Sequence, residues 1–451
     1  MEKIALLNKY GLFDAKVPRY TSYPPANHFE NGVGPRHQDS WLRAVPDGAE
    51  ISVYVHIPFC KRLCWFCACR TQGTRTLRPV DAYVEVLKAE ITKVRSKLPK
   101  GVKMARLHLG GGTPTILSAD TMRDLLGSIF GAFERTATHE FSVEIDPTEA
   151  STELLDTLVE FGLNRASIGV QDFAEHVQDA IGRPQTFEQT ARVVTHLRAA
   201  GVPSINMDLL YGLPTQTHQS FHATIDQVLK MRPDRLAIYG YAHVPWMSKR
   251  QVMINEADLP KPITRFELAE IAQRRFVDAG YGMIGIDHFA LATDSLFDAD
   301  ARGQLRRNFQ GYTDDTADTL IGFGASAISK FREGFIQNAP STSAYQERIA
   351  DTGFAGHKGY VMSDHDLLVA QMVEDLMCRF AIDDKKLMAA FPDQETVIRQ
   401  TVVSLMNEFQ DLLFIGKEGL MLRHQAYALV RIIAKRIDDF TSVGESHSAA
   451  V

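Results

Sequence analysis

The chain has 451 residues, 45% of them hydrophobic and 23% charged, which excludes a disordered or fibrous chain and is too long for one ordinary core. Its 49 basic and 55 acidic residues leave a formal charge of −6, arguing against a polyanion-binding surface and so against nucleic acid as a partner, though not against a local basic pocket. No apolar run reaches the ~18 residues of a membrane-spanning helix, and MEKIALLNKYGLFDAKVPRY carries no signal-peptide pattern; a cytoplasmic protein without a membrane span is expected.

In chain order, residues 1–50 form a loop-rich segment containing PRYTSYPP (18–25). Its prolines, aromatics and its cation, Arg19, suit an extended stretch packed over the mouth of a barrel rather than a mere linker. From 51 to 290, β-rich runs at 51–56, 106–109, 140–145, 165–170, 204–210 and 236–241 alternate with amphipathic helices; 283–289 reads as a seventh strand. Tyr83, Leu87, Ile91, Val94 and Leu98 recur at helical spacing, and Ser118 and Ser151 are expected N-caps of the helices 119–133 and 152–161. Successive βα units imply parallel strands with right-handed crossovers. The expected fold is therefore α/β, a partial (β/α)6-type barrel over 51–355 with extra strands and its chemistry at the strands' carboxyl ends. From 356 to 451 a mainly helical domain is expected. Leu368, Met372, Leu376 and Phe380 form a stripe behind a cap at Ser363 or Asp364, helices follow at 394–409 and 424–440, and LLFIGKEGLML reads as a hairpin before a frayed tail at 441–451.

Four of the five cysteines, Cys60, Cys64, Cys67 and Cys69, fall within ten residues, while Cys378 lies alone in an apolar helical pattern and reads as core. In a reducing compartment such a thiol group is a metal or redox site rather than a disulfide framework. The run YVHIPFCKRLCWFCAC gives C-x3-C-x2-C-x-C directly after the first strand. Structural zinc usually clamps two separated pairs, whereas three thiolates at this spacing suit one face of a cubane iron–sulfur cluster with one iron left open. Spacing favours iron–sulfur and leaves zinc and a thiol redox loop as alternatives. LHLGGGTPT (107–115) brings three successive glycines to the end of the second strand, where backbone can approach a small polar ligand; it has no P-loop lysine, which argues against a nucleoside triphosphate.

The cysteine spacing, an aromatic before the third cysteine and the glycine motif together resemble the radical S-adenosylmethionine (SAM) superfamily. The resemblance implies that Cys60, Cys64 and Cys67 ligate a [4Fe–4S] cluster. SAM would chelate the open iron and be cleaved reductively to methionine and a 5′-deoxyadenosyl radical. With PRYTSYP, Cys69, SVEIDP, IGVQDF, NMDLLYGLP, YAH, DHF and NFQGYT also in order, the chain is similar to the oxygen-independent coproporphyrinogen III oxidases, or coproporphyrinogen dehydrogenases. That implies an oxidoreductase of haem biosynthesis whose porphyrinogen substrate, coproporphyrinogen III, has two propionates converted to vinyl groups, giving protoporphyrinogen IX.

By the same resemblance Tyr54, Gly111, Glu144 and Ile328 contact this SAM, and Phe66, Gly112, Thr113, Gln171, Arg183, Asp208 and Ala242 contact a second SAM molecule. His56 would handle protons, Cys69 would serve activity without ligating the cluster, and Phe309 and Gln310 would lie near the site. Taken blind, Glu144 is a solvated strand-end charge and Arg183 an arginine on a solvated helix face, but Asp208 stands among apolar strand residues where an acid is costly unless paired. Two departures stand out. Ala68 replaces a frequent glycine, straining the loop by roughly 1 kcal/mol if its φ is positive. Leu291 replaces an arginine after DHF, which would weaken recognition of a propionate. An electron donor such as flavodoxin or ferredoxin is implied; the lack of long heptads disfavours a coiled-coil dimer, and a monomer is the expectation carried forward. A haem chaperone of related sequence, and a radical-SAM enzyme acting on another porphyrin, are the competing readings.

Overall fold

The computed structural model describes residues 2–440 and Ala450; apart from Ala450, the tail expected at 441–451 lies outside the described residues. The chain forms two compact units, neither of them a continuous stretch. One comprises Phe29–Pro260 with Ala317–Val361, the other the described parts of Met1–His28, Lys261–Thr316 and Met362–Val451. The division therefore differs from the sequential one expected at residues 50 and 355: the first 50 residues are shared between the units, and 261–316 joins the C-terminal helices. The cause is burial of distant apolar residues in one core, where Leu7, Leu12, Tyr20 and Tyr23 pack with Leu368, Met372 and Leu376.

The sheet unit is built on six parallel strands in chain order: β1 (Glu50–Ile57), β2 (Lys103–Gly111), β3 (Glu134–Ile145), β4 (Arg165–Gln171), β5 (Ser204–Tyr211) and β6 (Arg235–Gly240). On the far side of β1, β7 (Thr319–Phe323) is also parallel, and β8 (Ile328–Phe331), β9 (Gly334–Asn338) and β10 (Gly356–Val361) continue antiparallel. Among the described residues β6 does not pair with β10, so the barrel is partial and open. The helices α1 (Arg78–Arg95), α2 (Ala119–Ala132), α3 (Thr152–Glu160), α4 (Phe187–Ala199) and α5 (His218–Met231) connect successive strands. Ser118 and Ser151 cap α2 and α3 as expected, accepting from the backbone N–H groups of Thr121 and Leu154.

The strands alternate sharply. Ile51, Val53, Val55 and Ile57 of β1 are at most 1% exposed, and Ser52, Tyr54 and His56 point the other way. A parallel sheet covered on both faces reads as a continuous apolar run. Here one face is apolar under the helices and the other carries polar groups that bond to one another.

In the helical unit, Asp364–Arg379 is capped by Ser363 and Glu395–Glu408 forms as expected. The hairpin Leu413–Gly416/Gly419–Leu422 forms too, with Ala381–Ile382 as a third strand. The helix expected over 424–440 is only a 3-10 turn, His424–Leu429, followed by Val430–Ala434. The helix ends at Ala434, and further on Asp438 accepts the Phe440 N–H in a local bond outside it. The expected strand 283–289 is instead a hairpin, Gly282–Ile284 against His288–Ala290, turning at Gly285 with φ +57°. Cys378 is buried beside Ile284, Leu305 and Tyr312. The tyrosines of PRYTSYPP belong to this unit's core: the Tyr20 hydroxyl donates to Asp438 at 2.8 Å, and the Asp439 N–H donates to Tyr23 at 3.3 Å. Among the described residues no helix is long and apolar enough to cross a membrane.

Candidate active site

The cysteine loop leaves β1 at its carboxyl end. Cys60 sits on a two-residue strand, Phe59–Cys60, paired with Gln72–Gly73, so the loop closes on itself. It is tied to the glycine motif by two backbone bonds, Gly112 N–H to Ile57 O at 2.8 Å and Thr113 N–H to Phe59 O at 2.9 Å. Gly112 must be glycine here, since a Cβ would stand 2.6 Å from Phe59 O and 2.9 Å from Cys60 Sγ. Ala68 is not among the residues of positive φ, so the strain anticipated for it is absent.

Cys60 and Cys64 are buried, and Cys67 is partly exposed. Burial pushes the Cys60 thiol up, partly offset by a hydrogen bond from the Thr113 hydroxyl. The Cys69 thiol bonds to Cys67 and lowers it to about 6 against the effect of burial. Arg183 Nη1 donates to Cys64 Sγ at 3.5 Å and pairs with Asp146 at 3.1 Å, while Nη2 donates to Gly169 O at 2.9 Å. Arg183 is thus buried rather than on a solvated face, and its Nε has no partner. The donor from Cys69 favours the Cys67 thiolate, the form that binds iron. Among the described residues no three Cys, His, Asp or Glu side chains are grouped as ligands of one metal ion. A cubane binds its thiolates on separate irons and needs no three side chains converging on one metal ion. The residues fit a cluster.

Glu144, at the carboxyl end of β3, accepts the Gly111 N–H at 3.0 Å and faces His108 Nε2 at 3.4 Å, with 39% of its side chain open. Burial opposes its ionisation, but the His108 bond and the Gly111 N–H outweigh it and hold the carboxyl below its ordinary 4.5. Tyr54 stacks on His108, ring centroids 5.9 Å apart, and His108 Nδ1 meets Ser142 Oγ at 2.6 Å. His56 Nε2 lies 3.1 Å from Arg70 O, which can only accept, so Nε2 carries the proton and Nδ1 accepts from the Tyr54 hydroxyl at 3.0 Å. Burial lowers the imidazole below its ordinary value. His56 is therefore neutral and clasps the cysteine loop to β1. Gly111, φ +116°, gives its ring room, since a Cβ there would stand 2.6 Å from it.

Further along the inner face, Asp208 accepts from Ser167 Oγ at 3.0 Å and Asn206 Nδ2 at 2.8 Å, and Gln171 closes β4 with a left-handed φ of +66°. Phe66 packs against Val177, Ile181, Leu213 and Tyr241. Its carbonyl and that of Ala242 both accept from the buried Gln251 amide, at 2.8 and 3.1 Å. Ile328 opens β8. All these residues lie in the sheet unit. Phe309 and Gln310 do not: they form the turn between Arg306–Asn308 and Gly311–Thr313 in the helical unit. In that unit Asp287 is partly buried, which opposes its ionisation, yet His288, Arg307 and Arg19 hold it below its ordinary value.

The sequence reading missed His108, Ser142, Ser167, Asn206 and Gln251. The first four alternate with apolar residues on their strands, so period 2 placed them on the site face, but nothing local names their partners.

Residues 54–228 match the family model of the radical SAM superfamily. Over all of both chains, 451 residues, this one is 49% identical to coproporphyrinogen III oxidase, anaerobic 1, of Cereibacter sphaeroides. It is 47% identical, again over all of both chains, to the oxygen-independent coproporphyrinogen III oxidase of Paracoccus denitrificans. The solved coproporphyrinogen III oxidase of Escherichia coli, described as a radical SAM enzyme, superposes with a TM-score of 0.90 at 32% identity, covering 95% of this chain and 100% of that one.

Proposed function

The chain belongs to the oxygen-independent coproporphyrinogen III oxidase family, and from that premise we propose that it converts two propionates of coproporphyrinogen III to vinyl groups, releasing two carbon dioxide molecules and giving protoporphyrinogen IX. It is a radical SAM oxidoreductase. The observation that carries the reading is the cysteine loop bonded to the glycine motif beside Glu144, on a chain that matches these relatives from end to end. When bound, the cluster and SAM supply an electron and a carbon radical able to take hydrogen from an unactivated propionate β-carbon.

The chain's own groups hold and shield that chemistry. Cys60, Cys64 and Cys67 would ligate the cluster. Glu144, ionised and open on one side, would accept the SAM amine, with Gly111 and Tyr54 beside it and Ile328 at the adenosyl group. A second SAM is supported by Arg183, whose partnerless Nε is a buried donor suited to a carboxylate; Phe66, Gly112, Thr113, Gln171, Asp208 and Ala242 complete that set. His56, with both nitrogens engaged, would keep the loop in register and move a proton only by releasing Arg70 O or Tyr54. Cys69, Phe309, Gln310 and Arg19 would act toward the substrate. A cytoplasmic monomer served by a flavodoxin or ferredoxin completes the proposal.

Anaerobically reconstituted protein given SAM, a reductant and coproporphyrinogen III should yield a product lighter by two carbon dioxide and four hydrogen atoms, read by mass and by porphyrin fluorescence after oxidation. Retention of haem with no product would make it a haem-carrying relative. Turnover of a different porphyrin alone would redirect the substrate assignment.

A further inference from the structure

A cleft of about 320 Å³ opens on the sheet unit beside the cysteine loop, with Cys69 and Arg70 on one wall and Ser248, Lys249 and Arg250 on another. No carboxylate lines it. Residues 65–80 hold three arginines and no acid, and 244–255 hold Lys249 and Arg250 and no acid, in a chain whose formal charge is −6. Among the described residues Arg70, Lys249 and Arg250 form no ion pair with a carboxylate. Local positive charge on an acidic protein is the electrostatic mark of a place that attracts an anionic partner.

The same face is apolar where it projects. Trp246, Met247, Val252 and Met253 are 55%, 68%, 72% and 61% exposed. They are four of the ten large hydrophobics exposed among the described residues, all within eight positions. Outward aromatic and methionine side chains ringed by cations have the make-up of a protein interface rather than of a small-ligand pocket. This segment is also bonded to the cysteine loop. Ser248 Oγ donates to Cys67 O at 2.8 Å, Arg250 Nη2 to Thr71 O at 2.6 Å and Gln251 Nε2 to Phe66 O at 2.8 Å. A protein seated on 246–253 is one hydrogen bond from the backbone of Cys67.

We propose that this face docks an acidic, low-potential one-electron carrier protein, which reduces the cluster through the 246–253 segment and the cysteine loop. This rests on the reading of Cys60, Cys64 and Cys67 as cluster ligands. One electron leaves the reduced carrier and enters the cluster; no bond is made or broken, and each partner changes by one oxidation unit.

The test uses the full-length chain with a reduced flavodoxin of acidic surface as the probe. Binding, measured by calorimetry on protein with and without the cluster, should weaken about tenfold, ~1.4 kcal/mol, in Lys249→Glu and again in the pair Trp246→Ser/Met247→Ser, and should weaken with salt. Stopped-flow reduction of the cluster by flavodoxin should slow by a similar factor, with dithionite reduction unchanged. Lys385→Glu, in the helical unit, is the control and should alter neither. Unchanged affinity and rate in the variants would overturn the proposal. So would equal binding of a DNA duplex, which marks an unselective polyanion patch. Loss of dithionite-driven turnover with intact flavodoxin binding would also overturn it, because the cleft would then serve substrate carboxylates. If flavodoxin docks and reduces the cluster but coproporphyrinogen III is not consumed, the docking assignment stands and the reaction assignment falls.

Discussion

Gly112 shows how one missing Cβ positions Cys60, a proposed cluster ligand. Phe59 O, which a side chain would strike, is pinned by the Thr113 N–H at 2.9 Å and cannot step aside. Gly112→Ala should therefore push the loop off its register and lower the iron and acid-labile sulfide retained after reconstitution by more than about half. Gly127→Ala, where nothing lies within 4 Å of the added atom, should keep full iron and gain up to ~1 kcal/mol of helix stability. Equal iron in both variants would mean that the cradle is not shaped by Gly112. Replacement of Cys60, Cys64 or Cys67 by Ala should abolish the charge-transfer absorption, and Cys378→Ala should preserve it. Cys69 stands apart: its thiol gives its hydrogen bond to Cys67, so Cys69→Ser should hold iron and still lose product formation. Iron loss in that variant would make Cys69 a ligand. The ligand-type residues were legible because the thiols cluster in ten residues of sequence. Arg183 was legible only through family resemblance, since its helix-flanking position gives no sign that it turns inward to Cys64 and Asp146.

At the scale of elements, α1 carries an acid inside its apolar stripe. Glu90 is 0% exposed and accepts from Gly324 N–H, Asn338 Nδ2 and Tyr345 OH at 2.8, 2.8 and 2.7 Å. One turn-pair earlier, Tyr83 donates to His56 O and accepts the Ala325 N–H, both at 2.8 Å. The helix thereby fastens the carboxyl end of β1 to the turn that leads into Ile328. Burial raises Glu90 from 4.5 to about 7 even against three donors. Because the folded value lies above the unfolded one, its contribution to stability is fully present below pH 4.5 and is lost as pH rises to about 7, a change of about 3 kcal/mol. Denaturant unfolding of the native chain and of Glu90→Gln at pH 5 and pH 8 should therefore give a difference that shifts in favour of the variant at the higher pH. Parallel curves would place the Glu90 titration outside this window. The alternation of the strands and the helical stripes was readable from periodicity, but the acid at i+3 from Leu87 went unremarked within it. Its partners were not, because Gly324, Asn338 and Tyr345 come from more than 230 positions away, and no local pattern encodes a contact of that span.

On the whole-molecule scale the same limit explains why the units were misdrawn: hydrophobic periodicity assigns faces, and only the folded chain assigns which faces share a core. Leu7, Leu12, Tyr20 and Tyr23 are 0%, 1%, 4% and 4% exposed and sit in the helical unit's core with residues more than 340 positions later. Burial of each is worth ~2 kcal/mol, so their joint loss approaches the whole stability of a typical domain. Deleting residues 1–28 should thus unfold the helical unit rather than merely uncover a site. Hydrogen exchange should rise across Asp364–Arg379 and Glu395–Glu408, while β1, β2 and the cysteine loop, all in the sheet unit, stay protected and still take up iron. Turnover should disappear, since Phe309 and Gln310 belong to the unit that is lost. Tyr20→Phe separates packing from hydrogen bonding: it keeps the ring, leaves the buried Asp438 without its 2.8 Å donor, and should cost about 1–3 kcal/mol with exchange raised only in the helical unit. If the truncated chain fails to bind iron, the cluster depends on both units and the sheet unit is not self-sufficient. If instead it keeps native exchange across Asp364–Arg379, residues 1–28 are a covering strap with no part in that core.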